Sequence, residues 1–129
     1  AKKSDETFDH LLETAGALIL AGEHVIVDAT FIEKARRDRF VALAEGLGSR
    51  ALILLCQAPI SLLESRLDAR AAKGADPSEA DVAVLRWQQD RFEPPTAEEP
   101  VLPVNTAEPI KDSRLRELAV RLLSDQPLA

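Results

Sequence analysis

Two short runs of uninterrupted apolar residues, Val25-Ile26-Val27 and Ala51 to Cys56, stand between stretches whose apolar residues recur at helical spacing. A strand without polar residues has no face to offer water, so it belongs in a sheet covered on both sides. Chains that alternate such strands with helices build a parallel sheet flanked by helices. Phe8, Leu11, Leu12, Ala15 and Ile19 make the buried stripe of a first helix, which ends near Gly22. Asp28 closes the first apolar run. Ile32, Ala35, Phe40, Leu43, Ala44 and Leu47 then mark a second helix, stopped by Gly46 and Gly48. After the second run, Pro59 opens a helix striped by Ile60, Leu63, Leu67 and Ala71. Lys73 to Pro77 reads as a loop, and Ser78 as the N-cap of a helix that carries Val82, Leu85 and Phe92 up to Pro94-Pro95. Past an acidic loop, Thr96 to Pro100, the segment Val101–Asn105 is a weak strand. Pro103 cannot donate to a ladder and makes it an edge. Asp112 is expected to cap a last helix with Leu115, Leu118, Ala119 and Leu122. Three strands are few for this architecture, a first hint that part of the sheet is missing.

A length of 129 residues is one domain's worth, and 46% apolar residues against 29% charged permit a packed core. The net charge of −6 disfavours nucleic acid and anionic membranes as partners, since both need a basic surface. Cys56 is the single cysteine, which excludes an internal disulfide and fits a reducing cytosol. No apolar stretch reaches transmembrane length. Methionine is absent even at position 1, so either an initiator was removed ahead of Ala1 or the chain belongs to something longer.

Ligands of parallel α/β sheets bind beyond the carboxyl ends of the strands. Asp28 sits at such an end, followed by Ala29 and Thr30. A carboxylate there can hold magnesium through water or accept a proton from an incoming hydroxyl. Asp28 or Thr30 could equally cap the helix that starts near Ile32. Arg66 and Arg70, four residues apart, share one helical face ahead of the Lys73–Pro77 loop, as phosphate recognition requires. Surface pairing with Glu64 or Asp68 is the alternative. Arg36, Arg37 and Arg39 form a basic cluster that could meet an anionic substrate or simply solvate a helix. His10 and His24 lack the spacing of metal ligands, Cys56 reads as a packed residue, and Trp87 either covers a ligand or packs.

The segments Gly22 to Phe31, Arg36 to Phe40, Cys56 to Pro59, Leu63 to Arg70, Lys73 to Asp81 and Glu93 to Thr96 together resemble the small P-loop kinases. The likeness is strongest to the ATP-binding domain found behind aminoglycoside-phosphotransferase-like domains in bacteria, and more distant to gluconate kinases, zeta toxins and polynucleotide kinases. It spans nearly the whole chain. The resemblance implies a three-layer α/β fold with ATP and magnesium as ligands in the intact parent. It implies Asp28 beside the transferred phosphate and its metal, and Arg70 as a lid arginine on the phosphates. Arg66 would lie nearer the base, Thr106 and Ala107 near the adenine, and Thr30 and Arg37 facing an acceptor of unidentified chemistry. The lid itself would run from about 71 to 81.

One departure from that pattern governs the rest: no Gly-x-x-x-x-Gly-Lys-Ser/Thr occurs in these residues. That loop supplies the backbone amides and the lysine that cradle the phosphates. The chain therefore resembles the C-terminal two-thirds of a kinase domain, cytoplasmic, and is expected to hold ATP weakly or not at all. In the resembled sheet the absent strand lies between Val25–Asp28 and Ala51–Cys56. A further N-terminal segment or a second copy of the chain would then complete the sheet, unless the two strands close up directly. A non-catalytic α/β interaction module is the alternative function. A receiver-like phosphoacceptor at Asp28 fares worse, because no pair of acids follows a first strand.

Overall fold

The computed structural model describes residues 2–74 and 82–124. Its elements are α1 (Lys2–Leu20), α2 (Lys34–Gly46), β1 (Ile53–Gln57), α3 (Ile60–Lys73), α4 (Val82–Arg91), β2 (Val101–Asn105) and α5 (Asp112–Leu123). The expected Ser78 cap and most of the expected lid fall outside the described residues. β1 and β2 pair in parallel, Ile53 opposite Val101 through Gln57 opposite Asn105. The order of elements along the chain follows the apolar periodicity, with one exception.

Val25-Ile26-Val27 is not a strand. From Glu23 to Thr30 the chain runs without regular structure, and Ile26 is 95% exposed. Its apolar character is strand-like, but a strand exists only through a ladder. Among the described residues the sheet has two strands, and neither pairs with this segment. Direct closure of this segment onto β1 does not occur. Other expectations change at the helix ends. Lys111, not Asp112, is the N-cap of α5, and it makes no side-chain cap bond, so Asp112 serves only as an acid in the first turn. Pro59 stands one residue before α3, at its N-cap. Gly74 ends α3 at φ 58, in the left-handed region that a Cβ disfavours.

The ladder has a definite orientation. Ile53 N–H donates to Pro100 O at 2.8 Å, and Thr106 N–H donates to Gln57 O at 2.8 Å. Ile53, Leu55 and Gln57 therefore turn their backbone groups toward β2, while Leu54 and Cys56 turn theirs to the opposite edge. That edge is uncharged and uncovered: Leu54 is 46% exposed, and Cys56 is exposed rather than packed. The far edge of β2 is closed, because Pro103 has no N–H and its carbonyl accepts from Arg114 Nη2 at 3.0 Å.

Burial is divided between two places. Leu102 and Val104 of β2 pack with Leu118 of α5 and with Leu52. Separately, α1 meets α2 through Phe8, Phe40 and the intervening Phe31, whose rings stand edge to face at centroid distances of 5.3, 6.5 and 5.0 Å. Arg36 lies over the Phe8 ring at 4.2 Å. Gly16 of α1 faces Leu43 of α2, and a Cβ there would meet the leucine at an ordinary 3.5 Å. Helical glycine is costly relative to alanine and the space is available. Gly16→Ala should therefore stabilise the chain by about 0.5–1 kcal/mol, read as a higher urea midpoint.

Candidate functional site

The carboxyl ends of β1 and β2 are where a ligand of a parallel sheet would be met. Gln57 ends β1, and its carbonyl accepts both the N–H and the Oγ1–H of Thr106, at 2.8 and 3.1 Å. Thr106 is thereby fixed against the neighbouring strand at the point where β2 ends. Asn105 folds back on the same turn, its Oδ1 accepting from Ala107 N–H at 2.9 Å. From the second turn of α3, Arg66 reaches this loop and donates through Nη2 to Thr106 O at 2.6 Å and to Ala107 O at 3.5 Å. Arg66 and Thr106, candidates for one ligand, are thus brought together. The guanidinium pairs with neither Glu64 nor Asp68; Glu64 is taken by Arg86 of α4 at 2.9 Å.

Arg70 lies exposed in the last turn of α3, one turn beyond Arg66. Asp28 is exposed, and its carboxylate has no hydrogen-bond or ionic partner among the described residues. Neither Asp28 nor Thr30 caps α2, whose N-cap is Glu33. Thr30 is exposed, and its carbonyl accepts from Ile32 N–H at 2.8 Å. Among the described residues no hydrogen bond or ion pair joins Asp28 or Thr30 to the Arg66–Thr106 turn. A cavity of about 340 Å³ lies instead beside β2 and the start of α5, lined by Pro103, Asn105, Ile110, Lys111 and Arg114 among others.

Arg37 sits differently from the open, acceptor-facing side chain the resemblance implied. It is 4% exposed. Its Nε donates to Glu99 Oε1 at 2.6 Å, Nη1 to Phe31 O at 2.8 Å, and Nη2 to Glu93 O at 2.9 Å and Glu99 Oε2 at 3.3 Å. Arg36 and Arg39 are also engaged within the chain, with Asp5 and Asp9 of α1 at 2.7 and 2.9 Å. The basic cluster is spent on internal pairing. Glu99 also accepts from Thr96 N–H at 2.7 Å. The Arg37 hydrogen bond, helped by that amide and opposed by burial, holds the Glu99 carboxyl below its ordinary value.

Glu93 entered the sequence reading only as part of a resembled segment and Glu99 only as part of an acidic loop; neither was given a role. Glu93 donates its N–H to Ile32 O at 2.8 Å and accepts the first N–H of α2, from Lys34, on Oε2. No local motif announces either contact, because their partners lie 56 to 62 residues away. Trp87 is half exposed on α4, with Arg91 stacked over its ring at 4.4 Å.

Helices joined to a parallel strand pair, with turn residues gathered at its carboxyl end, fit the class of P-loop NTPase-like α/β domains. Residues 1–95 match a family model described as AAA domain, and the chain belongs to that family. Nucleotide and magnesium are its general ligands. No curated protein and no solved structure matches the chain. Among the described residues no helix is long and apolar enough to cross a membrane.

Proposed function

We propose that the chain is the greater part of an ATP-dependent phosphotransferase that acts on a small-molecule hydroxyl. The observation that carries this reading is the Arg66 guanidinium seated on the Thr106–Ala107 turn at the carboxyl end of the sheet. Around it the roles follow chemically. Asp28, exposed and without a partner among the described residues, is available to hold a hydrated magnesium ion or to accept the acceptor's proton. Among the described residues no three His, Cys, Asp or Glu side chains gather into a metal site. When bound, the metal neutralises charge on the phosphates. Arg70 supplies a fixed positive charge for the transferring group. Thr30 follows Asp28 and is the residue we assign to the acceptor. Arg37, buried and bonded to protein groups, acts through the fold instead.

The phosphate cradle comes from residues outside this chain, on a strand that adds to the open edge of β1. A further segment of the same polypeptide or a second copy of the chain would supply it. By itself the chain should therefore bind ATP with magnesium more weakly than about 1 mM, or about −4 kcal/mol. Calorimetric titration tests this, and micromolar binding by the chain alone would refute the assignment of the cradle to another segment. The alternative, an interaction module that never meets nucleotide, is favoured by the same uncovered edge at Leu54 and Cys56. It predicts no binding even after the glycine-rich segment is supplied.

A further inference from the structure

The segment that carries Asp28 has little to hold it locally. Between Glu23 N–H, which donates to Leu18 O, and Ala29 O, which accepts from Phe31 N–H, its backbone forms no hydrogen bond among the described residues. The helix that follows is also poorly anchored by its own sequence. Its N-cap Glu33 makes no side-chain cap bond, and its carboxylate lies 3.6 Å from Arg36 Nε instead. The bonds that fix this stretch arrive from the chain that leaves α4. Glu93 takes the cap position, accepting from Lys34 N–H and donating its own N–H to Ile32 O. Arg37 ties Phe31 O to Glu93 O and to the Glu99 carboxylate.

We infer that Arg37, Glu93 and Glu99 form a strap that positions the Asp28–Phe31 segment from the end of α4. They are positioning residues, and their importance for catalysis rests on the reading above that Asp28 serves the reaction. The geometry favours a strap over incidental packing in two respects. The contacts are directional hydrogen bonds to carbonyls and amides rather than apolar surface. Arg37 also brings together three separate stretches, at Phe31, at Glu93 and at the Thr96–Glu99 turn, through a wide planar fork of donors that the single ammonium of a lysine does not reproduce. Phe31 is held twice, by its carbonyl and by its ring in the aromatic trio. A shift of α4 is therefore passed to the chain immediately after Thr30.

Hydrogen–deuterium exchange on the chain without nucleotide tests the strap. Glu93 is exposed, so Glu93→Ala should leave a folded protein. Loss of a cap of this kind should speed exchange of amides 31–36 by about tenfold while Leu102, Val104 and α5 keep their rates. Arg37→Lys should loosen the same amides together with the Thr96–Glu99 turn. Trp87 is the single tryptophan and lies on α4, so its fluorescence anisotropy should fall in Glu93→Ala. Unchanged exchange at 31–36 in Glu93→Ala overturns the strap. Equal acceleration at Leu102, Val104 and α5 also overturns it, because that reports lost global stability. An unmoved Trp87 overturns the link to α4. Asp28→Asn should leave exchange at 31–36 as it is, so failure of the catalytic reading and failure of the strap are told apart.

Discussion

Replacing Arg37 with alanine should destabilise the fold by about 3–5 kcal/mol, the cost of leaving one half of a buried ion pair without its partner. Glu99 would keep only the Thr96 amide while its carboxylate stays out of water, and the carbonyls of Phe31 and Glu93 would each lose a donor. Domain stabilities are about 5–15 kcal/mol, so the substitution removes a large share of the total. Urea denaturation followed by circular dichroism measures it. A shift of the size usual for exposed pairs, under about 1 kcal/mol, would mean that the pair is not the joint described here. Removing both charges together, with Arg37→Met and Glu99→Leu, should cost much less than either single loss, because no stranded charge remains. The same pair sets an acid limit. Glu99 has a folded pKa below its ordinary value of 4.5, so the folded state binds the proton less readily than the unfolded chain. Its contribution is present in full above that ordinary value and is lost as pH falls through the lower folded one. The urea midpoint should therefore drop below about pH 4.5 in the parent chain. In the Arg37→Met, Glu99→Leu variant this part of the drop should vanish.

Asp28→Asn should behave in the opposite way. Its carboxylate has no partner to lose among the described residues, so the melting curve should overlay that of the parent. On the proposed reading the side chain is required only once phosphate and acceptor are present. In the protein supplied with its glycine-rich segment, phosphoryl transfer should fall by about 10²–10⁴, the usual loss when a positioned proton acceptor is removed. Asparagine keeps the size and a coordinating oxygen but lacks the charge and the basicity. A coupled assay for ADP release, run across magnesium concentrations, reads both effects. Transfer at the parental rate would remove Asp28 from the mechanism and return the segment to a connecting role.

These two residues mark how far the sequence was legible. Asp28 was singled out because it ends an apolar run read as a strand, and since that run joins no ladder among the described residues, Asp28 does not stand beyond a strand's carboxyl end. Arg37 was noticed as one of three neighbouring arginines, but spacing along a helix cannot tell which one turns inward. That is decided by Glu99 and Glu93, whose approach depends on the whole intervening chain. The helices were readable because an amphipathic stripe is a property of the segment itself, as in α5, where Leu118 is buried and Leu122 half-buried while Leu115 stays half exposed. The Val25–Val27 run was misjudged for the converse reason. Apolar β-branched residues record a fitness for pairing, whereas the pairing itself belongs to the neighbour. β2 was read over the same residues the structure shows, Val101–Asn105, because its neighbour lies within the described chain. At the site, only the family resemblance set Arg66 near the base and Thr106 near the adenine, while the hydrogen bonds of Arg66 to Thr106 O and of Thr106 to Gln57 O had no signature in the sequence.

The two rims of the strand pair are chemically unlike. On the β2 side a ring nitrogen without hydrogen and an arginine clamped on the adjacent carbonyl terminate growth, whereas on the β1 side the main chain of Leu54 and Cys56 is left open. Any enlargement of this sheet is consequently unidirectional. A newcomer has one berth, beside Leu54 and Cys56, and proline or lysine placed at either residue would poison assembly while the opposite rim tolerates the same changes.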